Sequence, residues 1–420
     1  MKRGFYTIMS AQFFSSLADN ALFVVAVELL RTNGADPWQA AALVPMFALF
    51  YVLLAPWVGA FADSMPKGRV MFYSNAIKAL GCLLMLAGSH PLLAYGVVGL
   101  GAAAYSPAKY GILTELLPAS LLVKANGWIE GLTIASIILG VVLGGQLVAP
   151  QVAVLLLAGQ WPGVDLPAEG AILVLIPVYL LAAWFNLHIP LTRTRRQRMP
   201  RNPLALLPDF RECNRRLWRD KLGQISLAST TLFWGVSGNL RYVVLAWAAA
   251  ALGYGTTNAS ALVGVVAIGT ASGAVFASMR IRLDRAPRVI PWGIAMGGLV
   301  MAMNLIHSIW VAVPFLVFMG ALGGFLVVPM NALLQHRGHH LMGSGRSIAV
   351  QNFNEQLAIL LMGGAYSAAS KWGLSAFGAV TAFGASVVVV MWLIGRWYKW
   401  NLRAYREEMS RLKVIARRNK

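Results

Sequence analysis

The sequence predicts an all-α integral membrane protein, with twelve transmembrane helices in two six-helix bundles and both termini on the cytoplasmic side. Three observations predict it. Hydrophobic residues make up 58% of the 420 and charged residues only 12%, against about 25% charged in an ordinary soluble domain. The apolar residues gather in twelve stretches, each near the roughly 20 residues that cross a bilayer as a helix. A long basic segment, 191–223, divides them six and six, the pattern of a transporter built from two parallel repeats.

The stretches run 5–30, 38–62, 70–89, 91–116, 124–148 and 170–190 in the first half, and 224–251, 257–280, 287–308, 310–335, 346–371 and 375–398 in the second. The first opens on two positive charges, "MKRGFYTIMSAQFF". It is long and lacks a small-residue cleavage site, so it reads as a retained helix rather than a signal peptide. Residues 152–159, "VAVLLLAG", are too few to cross and read as an interfacial piece between the fifth and sixth spans. The expected division is a bundle at 1–190, a cytoplasmic linker at 191–223, a second bundle at 224–400 and a basic tail at 401–420. The halves echo each other in "GLGAAAYSPAKYGILTEL" and "GALGGFLVVPMNALLQHRG", each glycine-rich at its start with Pro107 or Pro329 further on. Pro107 removes a backbone donor and can kink or loosen its helix, which makes it the expected hinge.

The basic residues orient the chain. With the N-terminus inside, 30 of the 35 lysines and arginines fall in cytoplasmic segments or at their edges. Arg31 and Lys371 fall outside, and Lys78, Lys109 and Arg241 lie within spans. That asymmetry is the positive-inside rule, and it accounts for a net charge of +20 without a nucleic-acid partner. The tail reads either as a basic amphipathic helix on the anionic inner leaflet or as a solvated charged segment. Cys82 lies in an apolar run and Cys213 in the basic linker, so no disulfide is expected. "HRGHH" at 336–340 has no carboxylate or thiol nearby and is expected to be a solvated basic turn rather than a metal site. No cofactor is expected.

Between the second and third spans stands "GAFADSMPKGRV", Gly59 to Val70. It resembles the signature loop of the major facilitator superfamily in Gly59, in Asp63 four residues on, and in the basic residues Lys67 and Arg69. Ser64 and Pro66 depart from the pattern. The resemblance implies a cytoplasmic latch, in which Asp63 at a helix end pairs in one state and releases in the other. Four further stretches, "AQFFSSLADNALF" (11–23), "AAAYSPAKYGILTELLP" (102–118), "TTLFWGVSGNLRYVVLAW" (230–247) and "VVPMNALLQHRG" with "SIAVQNFNEQLAILLM" (327–338, 347–362), make the chain resemble the bacterial lysophospholipid transporters of the inner membrane. That resemblance covers nearly the whole chain. It implies uptake of a lysophospholipid from the outer to the inner leaflet, by alternating access with a lateral opening, and coupling to an acyltransferase that re-acylates it. The loop at 149–170 is longer than the family pattern.

Charges deep in a span cost about 2.5–3.5 kcal/mol each on insertion scales, so they face a cavity or a partner. Asp19, Lys109, Arg241 and Glu355 stand out, two acids and two bases. At about 1.5 Å per residue, Asp19 and Arg241 fall at or beyond the midplane, Lys109 and Glu355 on the cytoplasmic side. Cross-bundle pairs Asp19–Arg241 and Lys109–Glu355 are expected, one closing each end; a purely structural ion pair is the plainer alternative. A phosphodiester favours guanidinium and ammonium donors, and a headgroup ammonium favours carboxylates. The four charged residues, with Asn20, Asn239, Gln351 and Asn352, are the candidate substrate-binding set. Asn20, Asn239, Gln351 and Asn352 are, with Asn354, secondary to the charged residues, because span amides more often join helices than touch substrate. Lys78 has Asp19 or Glu130 as its expected acid.

The competing function is a proton-coupled exporter of small amphipathic compounds or drugs, with Asp19 or Glu355 titrating. An enzyme is not expected. None of the six histidines is followed five positions on by an aspartate, and no Gly-x-Ser-x-Gly elbow stands between a strand and a helix.

Overall fold

A computed structural model describes residues 3–116, 119–161, 164–192, 202–342 and 344–418. No strand occurs among these residues. The helices are α1 (Arg3–Thr32), α2 (Pro37–Leu53), α3 (Ala55–Ser64), α4 (Lys67–Leu86), α5 (Pro91–Leu116), α6 (Ala119–Leu147), α7 (Pro150–Leu157) and α8 (Pro167–Leu187). They continue with α9 (Leu206–Arg219), α10 (Gly223–Leu252), α11 (Thr256–Arg280), α12 (Ile290–Ala302), α13 (Ile309–Met342), α14 (Ser344–Lys371), α15 (Ala376–Ala404) and α16 (Arg406–Arg418).

Each apolar stretch read from the sequence is mostly helical among the described residues. Seven helices among the described residues are long and apolar enough to cross a membrane by themselves. Residues 131–147 and 150–157 together pass the same test, but bend by 67° at the break between α6 and α7. Many large apolar side chains, among them Leu80, Leu83, Leu180 and Trp184, stay exposed, as expected where lipid is the solvent.

Two elements differ from expectation. The stretch 38–62 is two helices, α2 and α3, broken at Leu54. Pro56 causes the break: it has no N–H to donate to Val52, and its ring would meet that carbonyl. Pro56 instead sits in the first turn of α3, where the missing donor costs nothing. Helix α5 carries Pro107 inside it. Finally, α13 extends to Met342, so "HRGHH" is helix and not a turn.

The helices gather into two compact units. The first comprises Met1–Leu204 with Tyr254–Gly264 and Gly363–Gly373; the second comprises Ala205–Gly253, Val265–Met362 and Leu374–Lys420. In the first unit α1 packs on α6 and α8, and α4 packs on α5 and α8. In the second, α15 packs on α10 and α12, while α13 packs on α10. Glycine permits a close approach in each. A side chain at Gly101 of α5 would begin 2.6 Å from the Ser74 carbonyl and 2.8 Å from Lys78 Cγ of α4, and one at Gly273 of α11 would begin 1.9 Å from the Ala321 carbonyl of α13.

The described parts of the linker and tail are largely helical. Helix α9 lies within the expected linker and buries Cys213 and Leu217 against Leu227, Leu334 and Val350. The tail helix α16 packs on the turn at 283–289, with Met409 and Leu412 buried.

Candidate functional site

The first unit buries an ion pair. Ser15 and Asp19 lie four residues apart on α1, and Asn75 and Lys78 three apart on α4, so each pair shares one helix face. Lys78 Nζ donates to Asp19 Oδ2 at 2.7 Å and to Ser15 Oγ at 3.0 Å. Ser15 Oγ donates to Asn75 Oδ1 at 2.7 Å. From α8, Tyr179 Oη donates to Asp19 Oδ1 at 2.8 Å. The ammonium also lies 5.1 Å from the Tyr105 ring centroid and 5.8 Å from that of Tyr179, within cation–π range.

Within the first unit Asp19 has Lys78 as a basic partner. A buried ammonium needs an acid beside it, and Lys78 is fully buried. Of the two acids expected for Lys78, the structure selects Asp19; the side chain of Glu130 lies outside the described residues. Lys109 is buried on α5, four residues after Tyr105 and eight after Gly101. The three form one stripe of that helix, and its Gly101 end abuts Lys78.

The second unit holds a polar chain on α14. Gln351 Nε2 donates to Glu355 Oε1 at 2.9 Å and also to Asn331 Oδ1 of α13. Gln351 and Glu355 are buried, and Asn352 is half-buried. Arg241 is half-buried on α10. Asn239 donates to the Gly235 carbonyl at 2.8 Å and to the Ile359 carbonyl of α14 at 3.2 Å, so it joins two helices. Asn20 donates to the Ser16 carbonyl of its own helix at 2.8 Å. Asn354, weighed above for the substrate path, instead fastens α9: its amide donates to Asn214 Oδ1 at 2.8 Å and its carbonyl accepts from Trp218 Nε1 at 3.0 Å.

In the expected latch, Lys67 is buried and donates to the Ala62 carbonyl at 2.7 Å. It satisfies a carbonyl that the end of α3 leaves without an intrahelical donor. Arg69 is exposed, a side chain at Gly59 would meet nothing within 4 Å, and the Asp63 side chain lies outside the described residues.

An ion pair that sequence reasoning missed lies in the second unit. Arg337 grips Asp220 through both carboxylate oxygens, Nε–Oδ1 at 3.1 Å and Nη2–Oδ2 at 2.6 Å, and both side chains are 6% exposed. Asp220 Oδ1 also accepts the Gly223 and Leu222 backbone N–H groups at the start of α10, at 2.7 and 3.3 Å. Arg337 is therefore no solvated residue of a basic turn. The available signal was Asp220 three residues before Gly223, ahead of a long apolar run, an arrangement that satisfies helix-start donors.

The model of the Major Facilitator Superfamily matches residues 8–363. The chain belongs to the major facilitator superfamily. This superfamily member is a multi-pass protein of the bacterial inner membrane. Relatives match it along most of their length. "Lysophospholipid transporter LplT" of Enterobacter sp. (strain 638) is 40% identical over 403 residues, 96% of each chain. The protein of the same name from Pectobacterium carotovorum subsp. carotovorum (strain PC1) is 40% identical over 377 residues, 89% of this chain and 88% of that one. The one from Yersinia enterocolitica serotype O:8 / biotype 1B is 41% identical over 376 residues, 89% of each. Among solved structures, a bacterial homolog of the human lysosomal transporter Spinster, inward-facing and unoccupied, matches with a TM-score of 0.66 at 17% identity, over 97% of this chain and 99% of that one. The nucleoside transporter NupG matches at 0.65 and 11% identity, over 94% and 99%. At such identities these two speak for the fold alone.

Proposed function

We propose that this chain carries lysophospholipids, such as lysophosphatidylethanolamine and lysophosphatidylglycerol, from the outer to the inner leaflet of the bacterial inner membrane. The observation that carries the reading is identity of 40% along 96% of both chains with a lysophospholipid transporter. The drug-exporter alternative has no such support. In this reading the chain spans the membrane twelve times with both termini inside, as two bundles joined by the 191–223 segment.

The charges buried in the spans suit that cargo. Asp19 and Lys78 neutralise each other. Lys109, Arg241 and Glu355 leave a formal excess of one positive charge, and a phosphodiester carries one negative charge. Lys109 and Arg241 take the phosphate, Glu355 and Asp19 take a headgroup amine, and Asn20, Asn239, Gln351 and Asn352 line the path. Closure of the ends pairs Lys109 with Glu355, and Asp63, Lys67 and Arg69 form the cytoplasmic latch. The acyl chain remains in lipid through a lateral opening, because burying its methylenes in protein would gain nothing over bilayer. The delivered lysolipid is consumed by an acyltransferase.

The test is uptake of labelled lysophosphatidylethanolamine into spheroplasts that lack their own carrier, with and without an uncoupler. Uptake above background that survives the uncoupler is expected. No uptake would overturn the reading, and loss with the uncoupler would instead favour a titrating carboxylate.

A further inference from the structure

We propose that Lys78 governs headgroup selectivity by deciding how much of the Asp19 charge is left for the substrate. The inference rests on the lysophospholipid reading and deepens it by assigning a residue that reading does not use for binding.

The geometry of the pair is asymmetric. The Lys78 side chain is 2% exposed and that of Asp19 19%. A ligand can therefore reach the carboxylate but not the ammonium behind it. Both carboxylate oxygens are already engaged, one by Lys78 and the other by Tyr179. In this state Asp19 offers an arriving amine a charge that is largely compensated. Lys78 is thus a positioning residue acting through Asp19, and it holds the preference between an amine-bearing zwitterionic headgroup and an anionic one near balance. Two further polar atoms of the residues around it, Asn75 Nδ2 and Tyr105 Oη, are buried and make no hydrogen bond among the described residues. With the ammonium, these donors can serve an anion once the Asp19 charge is removed.

The consequence is reciprocal. Lys78→Met leaves a bare carboxylate and favours the amine headgroup. Asp19→Asn leaves a bare ammonium and favours the anionic headgroup. The double variant restores charge balance. A merely structural role would lower transport of both lipids together and leave their ratio alone.

The experiment measures Vmax/KM for lysophosphatidylethanolamine and lysophosphatidylglycerol in spheroplasts, normalised to the protein present in the membrane. For close charges in a partly buried site, Lys78→Met should raise the ethanolamine-to-glycerol ratio by about tenfold and Asp19→Asn should lower it by a similar factor. The double variant should return it near the wild-type value. Should one single variant fail to reach the membrane, the other, compared with the double variant, decides by the same ratio. A ratio unchanged in the single variants, with the wild type carrying both lipids, overturns the role of Lys78 and leaves the transport reading standing. A wild type that carries neither lipid overturns both.

Discussion

Tyr179 reaches from α8 to hold one oxygen of Asp19 on α1, 2.8 Å away, while Lys78 holds the other at 2.7 Å. The carboxylate is thereby fixed from two helices at once. Removing the phenol oxygen leaves the ion pair in place but lets the carboxylate rotate. A hydrogen bond to a charged group contributes about 1.5–3 kcal/mol. Tyr179→Phe should therefore lower stability by about 2 kcal/mol, read as a fall in melting temperature by tryptophan fluorescence in detergent. An unchanged melting temperature would show that the bond contributes nothing.

The Asp220–Arg337 pair should be more costly to break. Both side chains are buried, and Asp220 also serves the first N–H groups of α10. Arg337→Ala leaves a buried carboxylate uncompensated, at a cost of about 3–5 kcal/mol. Arg337→Lys should recover only part of this, because an ammonium cannot match two oxygens at once. If the lysine variant melted with the wild type, the two-pronged geometry would be unimportant.

These two pairs show what the sequence could convey. Spans were legible because lipid demands long apolar helices, and that demand appears in composition alone. The break at Leu54 was hidden by averaging apolarity across Pro56. Helix α9 was hidden by its arginines, although Phe210, Cys213, Asn214, Leu217 and Trp218 already recur at helical spacing. Arg337 looked solvated because its neighbours are polar and its partner lies 117 positions away. Choosing Asp19 for Lys78 needed α1 and α4 to meet beside α5 and α8, on which both pack, and no local pattern encodes that.

Cys213 reports on the docking of α9. Burial, and then the Asp209 carboxylate, push its thiol above the ordinary range, because both disfavour the thiolate. The folded state then holds the proton longer than the unfolded one, so the stabilisation is present below the ordinary thiol value of about 8.5 and declines as pH rises above it. In a Cys82→Ala background, maleimide labelling should keep accelerating above the pH at which a free thiol levels off. Asn354→Ala removes the bonds to Asn214 and Trp218 and should speed labelling at neutral pH by about tenfold, for roughly 1.4 kcal/mol of lost docking. Equal labelling rates would mean that Asn354 does not hold α9.

Two glycines should respond oppositely. Gly101→Ala places a methyl 2.6 Å from the Ser74 backbone carbonyl, which cannot move without separating α5 from α4 beside Lys78. Overpacking of this kind costs about 1–3 kcal/mol. Gly59→Ala meets open space and should leave stability within about 0.5 kcal/mol. Melting temperatures of the two variants check the contrast, and a loss at Gly59 equal to that at Gly101 would contradict it.

Thr256, at the start of α11, makes the last test. Its hydroxyl donates to Glu28 Oε2 and accepts from Arg31, while Arg31 and Glu28 also approach each other at 3.7 Å across one turn of α1. All three residues belong to the first unit. The hydroxyl is the only one of the three groups able to serve both charges, donating to one and accepting from the other. Thr256→Val keeps shape and removes both bonds, whereas Thr256→Ser keeps the bonds and removes a methyl. Because Arg31 is half-exposed, the direct Arg31–Glu28 attraction that remains contributes little. The valine variant should therefore lose about 1–3 kcal/mol and the serine variant less than about 1. The same ordering should appear in limited proteolysis near residues 253–256, where the valine variant is cut faster. A serine variant as unstable as the valine variant would assign the contact to packing instead of to the hydroxyl.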